Sequence, residues 1–366
     1  MSYRDGSSDS CMMDPPERTR GTMGGRSHVL DIVTLLVIFI LGWVYTHGIE
    51  HCIDIGLYDE SNYLQLGISI PGRIPVAEAG PLYGLWYYLL SLMEPDTVDL
   101  YFLNYKTMTV LPAIMLFLAL RANNVSRILS FLFSLMILFS SANFPTWPKV
   151  SHFTVIILLS GFFIFGIISS RIYRTFVLLL TALLASYVRP EFYVSFILLC
   201  IVLVCLCMRQ LRQNHSIRSV IPLGITLTFA VILILLVGIP VSGGDRGMVA
   251  FGQHYARNRV VWTNDGRDPW TNWETIVKTD FGDVMPLGKA LWSNPSAVAR
   301  HVCCNLRTFP REFKCMFGST YPPGAPPARI AFKIGLLALV AAGLILLRKQ
   351  GIRASADRVI QNGRDF

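Results

Sequence analysis

Residues 30–48 read LDIVTLLVIFILGWVYTHG, nineteen positions with a single charge, Asp31. As a helix rising 1.5 Å per residue this run is about 28 Å long, close to the ~30 Å hydrocarbon thickness of a bilayer. Working outward, blocks of the same character recur at Val98–Leu120, Ile128–Pro145, Val150–Ser170, Ile172–Val188, Glu191–Met208, Val220–Val241 and Arg329–Leu347. The whole chain of 366 residues is 53% hydrophobic and 15% charged, where a soluble protein averages roughly 25% charged. Too much apolar surface is present for a soluble fold to hide. The expected class is an all-α, polytopic integral membrane protein with about eight spans. Pro81–Met93 is a ninth apolar run of thirteen residues, rich in Tyr83, Trp86, Tyr87 and Tyr88. It is short for a span and suits an interfacial or re-entrant helix.

The basic residues orient these spans. With the amino terminus cytoplasmic, sixteen Lys and Arg fall on inner segments: four in the amino-terminal tail, then Arg121 and Arg127, Arg171 and Arg174, Arg209, Arg212 and Arg218, and five after position 347. The short outer segments hold Arg73, Lys149 and Arg189, which is the positive-inside pattern. Counting 81–93 as a full crossing would put the arginine-rich loops outside. The expected organisation is a polar, disordered cytoplasmic tail over 1–28, a multi-span module over 29–241 with an acidic outer loop at 49–80, and an outer segment over 242–328. A last span at 329–347 and a basic cytoplasmic tail at 348–366 follow. Both termini are thus cytoplasmic. The 19-residue first block, lacking a cleavage pattern, reads as an uncleaved span and not a signal peptide.

The net charge of +9 sits mainly in inner loops, so it records topology and contact with anionic membrane lipid; no basic and aromatic interleaving points to nucleic acid. Cys200, Cys205 and Cys207 lie in an apolar block, whereas Cys52, Cys303, Cys304 and Cys315 face outward, where Cys303 or Cys304 could pair with Cys315. No phosphate-binding Gly loop, HExxH or GxSxG is present. The two Asn-x-Ser/Thr matches, at Asn124 and Asn214, fall in inner loops, which favours a bacterial plasma membrane.

Four polar groups fall on the outer side. Asp59 and Glu60 follow the first span; Asp59 can cap a helix whose Leu64, Gly67 and Ile68 line a membrane-facing side. Either acid can also act as a base or as a hard oxygen ligand for a divalent cation. Arg189-Pro190-Glu191 lies between two spans: Pro and Glu suit a helix start, and Arg can reach headgroups or a substrate phosphate. Lys149 follows Phe144-Pro145-Thr146-Trp147-Pro148 and can contact a headgroup or a donor phosphate. In the long outer segment His254 and Arg257 share a helical face near Arg259, the makings of a phosphate or glycan clamp.

A first span, an outer loop with Asp59-Glu60 and Tyr63, then Gly80-Pro81-Leu82-Tyr83 opening an aromatic helix and a later Arg189-Pro190-Glu191 resemble the membrane glycosyltransferases of the C superfamily. That group includes dolichyl-phosphate-mannose protein mannosyltransferases and bacterial lipid-modifying relatives. The resemblance covers roughly residues 30–210. It implies a transferase that takes a sugar from a polyprenyl-phosphate donor to a lipid, glycan or protein acceptor at the non-cytoplasmic face, with Asp59 as base and Glu60 holding the acceptor or a cation. Two other classes remain: a transporter or flippase of a lipid-linked or anionic solute, which would place polar groups near mid-membrane, and a non-catalytic assembly subunit.

Overall fold

The computed structural model describes residues 25–51, 53–55, 59–72, 75–140, 143, 149–214, 220–241, 245–283 and 287–318, together with 341, 345 and 348. Among them the secondary structure is entirely helical. Helices α1 (Gly25–Tyr45), α2 (Asp59–Ile68), α3 (Pro81–Ser91), α4 (Thr97–Ala122), α5 (Arg127–Leu138), α6 (Val150–Ile167), α7 (Arg171–Ser186), α8 (Phe192–Asn214) and α9 (Ile221–Val237) are followed by α10 (Asp245–Thr263), α11 (Trp273–Phe281), α12 (Leu287–Ser293) and α13 (Pro295–Gly318).

Among the described residues, four helical stretches are long and apolar enough to cross a membrane: His28–His51, Thr97–Ala122, Val150–Ile167 and Phe192–Gln213. Their outer faces carry what a soluble protein buries. Val44, Leu198 and Ile201 are exposed, and Leu235 on α9 is 80% exposed, so these faces are matched to hydrocarbon. The other expected spans are shorter. Helix α5 has 12 residues, α7 has 16 and α9 has 17, or about 18, 24 and 26 Å. Expected spans 128–145 and 220–241 therefore exceed the helices that form there, and the block 329–347 lies almost wholly outside the described residues, as do both tails. Helix α3, with 11 residues and about 16 Å, packs against α2 and α4.

Local chemistry sets the helix starts. Asp96 caps α4 by accepting from the N–H groups of Val98 (2.8 Å) and Asp99 (3.0 Å). Pro81 opens α3 directly after Gly80, whose φ of 68° is left-handed. Helix α4 is the hub, packing on α1, α5 and α6; α6 packs on α7, and α7 on α8 and α9. Small residues bring these helices close: a Cβ on Gly161 of α6 would sit 2.2 Å from the Thr181 hydroxyl of α7.

The bundle has two distinct ends. At one, Asp31 binds both Arg121 (3.1 Å) and Arg127 (2.6 Å), stapling α1 to the α4–α5 turn. At the other, the Leu82 N–H donates to the Tyr187 carbonyl (3.4 Å) and the Tyr187 hydroxyl to the Gly238 carbonyl (3.1 Å), gathering the links after α7 and α9 around α3. Helices α10, α11 and α13 enclose a core of their own around Tyr255, Ile276 and Phe281.

A disulfide from Cys303 or Cys304 to Cys315 is not formed. All three lie on α13, and Cys303 and Cys304 are free thiols. Eleven or twelve helical residues separate their Cα atoms by about 17 Å, well beyond the ~4.4–6.8 Å a disulfide spans.

Candidate functional site

The α2–α3 pair sits at the end of the bundle opposite the Asp31 staple. Helix α2 opens at Asp59 and buries Glu60, Tyr63, Leu64 and Gly67. The expected apolar side of α2 is thus corrected: Leu64 and Gly67 face protein, while Ile68 is exposed. Close approach is the reason. A Cβ on Gly67 would lie 2.4 Å from Tyr87 Cβ and 2.8 Å from the Gly84 carbonyl, so only glycine lets α2 settle on α3.

That seating drives Glu60, 6% exposed, into a cage of donors. Its Oε1 accepts from the Tyr83 hydroxyl (2.5 Å), from the Tyr87 hydroxyl and from Asn104 Nδ2 (2.9 Å); its Oε2 accepts from the Lys149 backbone N–H (2.6 Å). Trp86 Nε1 in turn donates to Asn104 Oδ1 at 2.8 Å, fixing the amide. Four donors from α3, α4 and the start of α6 suit an ionised carboxylate, which only accepts. Burial raises the Glu60 pKa, while the tyrosine and Lys149 hydrogen bonds oppose that rise. Burial also lifts Tyr83 and Tyr87 well above the ordinary phenol range, keeping both as donors.

Lys149 is enclosed as well, at 1% exposure. Its ammonium donates to the Asn143 carbonyl (2.6 Å) and the Thr109 hydroxyl (3.2 Å) and lies 4.1 Å from the Tyr105 ring centre. Burial holds its pKa well below the ordinary lysine range, against the pull of Glu60. The exposure expected of a headgroup or phosphate contact is not seen. The amide of Asn143 continues the network, donating to the Thr109 carbonyl at 2.8 Å.

Asp59, by contrast, is exposed. Helical spacing puts it on the same face of α2 as Asn62 and Leu66, and that face borders an open hollow of about 520 Å³ lined by Asn62, Gln65, Leu66, Ser69, Pro75, Val76 and Ala79. Next to Ala79, Gly80 has the Val188 carbonyl 3.2 Å from where its Cβ would stand. Arg189, half-buried, therefore follows a residue that abuts the rim of the hollow; Glu191 is exposed.

The structure thus joins Glu60 to Lys149 and brings the Val188 carbonyl against Gly80, at the start of α3. It does not bring His254 and Arg257 into this group. Both are exposed on α10, where the His254 ring meets Trp270 edge-on, and the neighbouring Arg259 is committed to Asp280 at 2.6 Å. Sequence reasoning missed Tyr87, Asn104 and Thr109 as polar partners. Asn104 and Thr109 are uncharged polar positions inside a block read as a span, and that was the signal available.

As a ligand set for a divalent cation the acidic pair fits poorly. Both Glu60 oxygens are engaged by N–H and O–H donors, which leaves Asp59 as the pair's one available carboxylate. Among the described residues no cluster of three His, Cys, Asp or Glu forms. No family model, curated protein or solved structure matches the chain.

Proposed function

We propose that the chain is a membrane glycosyltransferase, moving a sugar from a polyprenyl-phosphate donor to a lipid, glycan or protein acceptor at the non-cytoplasmic face, in a bacterial plasma membrane. The observation that carries this reading is the face of α2 itself. A carboxylate and two amides (Asp59, Asn62 and Gln65) lie along one side of the helix, the Ser69 hydroxyl follows in the turn after it, and the last three of these residues line the hollow. Convergent polar groups of this kind suit a ligand rich in hydroxyls.

In the proposed reaction Asp59 takes the proton of the acceptor hydroxyl as its oxygen bonds to the anomeric carbon. The bond from that carbon to the phosphate oxygen breaks, and polyprenyl phosphate departs with the electron pair. Asp59 then releases its proton to water. Arg189 is the candidate to meet the phosphate charge, since guanidinium suits bidentate phosphate contact. Glu60 is a positioning residue: its four hydrogen bonds fix the first turn of α2 and so fix Asp59.

One observation favours a second reading, transport of an anionic solute. The Lys149 ammonium meets Thr109, halfway along the 26 residues of α4, the depth at which transporters place polar groups. Purified protein in liposomes separates the two. Transfer of label from polyprenyl-phosphate sugars onto an acceptor supports the transferase; solute uptake without transfer supports the transporter.

A further inference from the structure

Helix α13 divides into three sectors. One packs inward: Ala297 and Val298 join the α10–α11 core, and His301 and Asn305 meet the Asn258 amide at 2.9 and 2.7 Å. A second is an apolar stripe of Val302, Leu306 and Phe309, spaced four and three residues apart so that they align. All three are exposed, Leu306 at 67% and Phe309 at 62%, and Trp292 just before the helix is 84% exposed. The third is basic. Arg300, Arg307 and Arg311 lie along it, with Arg300 stacked 4.6 Å over the Trp262 ring. Over its length the helix carries these three arginines and Lys314 against one acid, Glu312.

An exposed apolar stripe with a basic sector largely across the helix from it is the pattern of a helix lying in a bilayer interface, its apolar side chains among the acyl chains and its arginines reaching for the phosphates. The chain's own layout supplies the surface. Ten residues, 319–328, separate α13 from the apolar block 329–347, so the helix end stays within about 35 Å of the start of that block.

We infer that α13 is an interfacial helix that docks the α10–α13 unit onto the leaflet entered by the block 329–347, with anionic phospholipid as its partner. The inference rests on the reading that the long apolar helices cross a membrane.

The test uses the full chain in vesicles of phosphatidylcholine alone or with one-third phosphatidylglycerol, each containing a phospholipid with a diazirine in its acyl chain. After illumination, adducts are mapped by peptide mass spectrometry. Adducts are expected on 302–309 as well as on α8. Charge reversal at Arg307 and Arg311 together should lower α13 labelling about fivefold or more in the anionic vesicles, with little change in the neutral ones and none on α8. Leu306→Asp with Phe309→Asp should remove it in both. Labelled α8 with unlabelled α13 overturns the inference. Unlabelled α8 overturns the spanning reading beneath it.

Discussion

The Lys149 backbone N–H donates to Oε2 of Glu60 at 2.6 Å, while the Lys149 ammonium turns away to the Asn143 carbonyl. The two residues that pattern reading marked as separate charged candidates therefore meet through main chain. Each is surrounded by neutral donors and acceptors, and the pairing ties the start of α6 to the first turn of α2. Asp59, one position earlier, is left exposed on the side of α2 that carries Asn62.

Removing the Glu60 carboxylate would take from the Tyr83 and Tyr87 hydroxyls and the Lys149 N–H their acceptor in a buried space, while the Asn104 amide keeps the two tyrosine oxygens. Glu60→Ala should cost on the order of 3 kcal/mol of stability, the usual scale for breaking a buried, hydrogen-bonded charge. Asp59→Ala should leave the melting temperature of the detergent-solubilised protein nearly unchanged, because the side chain is exposed. Equal melting of the two variants would contradict the cage.

Burial of Lys149 has a pH signature. Its depressed pKa means that, between that value and about 10.4, the unfolded chain binds a proton the folded chain has lost. Wild type should gain stability on Lys149→Met as pH rises through this window. Glu60, whose pKa is raised, has the opposite dependence. Its contribution is fully present below the ordinary carboxyl range and is lost as pH rises through the raised value, and it is common to both proteins. The melting difference, followed from pH 7 to 10, should therefore climb. A flat or falling difference would mean that the ammonium is solvated.

Two glycines give a matched contrast. Gly67→Ala pushes a methyl into Tyr87 and the Gly84 carbonyl and should destabilise by about 2 kcal/mol, the scale of overpacking. Gly224→Ala, on α9 with nothing within 4 Å of its Cβ, should be neutral or gain up to about 1 kcal/mol from helix propensity. Thermal melts of the two variants test the seating of α2 on α3. Similar shifts would count against it.

Much of this architecture was legible in the sequence because block length is a strong signal. The runs at 30–48, 98–120, 150–170 and 191–208 each became a helix long enough to cross, and the short aromatic run at 81–93 became a short helix. Less legible was where a block stops being helix. Ile128–Pro145 is apolar but for Ser130 and Ser134 as far as Phe139, yet α5 ends at Leu138 and Asn143 turns its amide onto α4. The candidate site shows the same limit. Sidedness grouped Glu60 with Lys149, but adjacency could not say which of Asp59 and Glu60 is buried. That follows from Gly67 and Gly84 meeting across α2 and α3, a tertiary fact. Tyr83 and Tyr87, four residues apart, were read as interfacial aromatics because Tyr suits both a membrane interface and a buried hydrogen bond.

The central claim is that Asp59, held by the Glu60 cage, is the base of a sugar transfer, and it is tested most directly by Asp59→Asn. In liposome-reconstituted protein supplied with radiolabelled polyprenyl-phosphate sugars and membrane acceptors, this variant should transfer at least about a hundredfold less label than wild type, the scale of general-base catalysis. Its melting temperature should be unchanged. Equal transfer by the two proteins would contradict the account, as would a wild type that transfers from no donor while taking up an anionic solute.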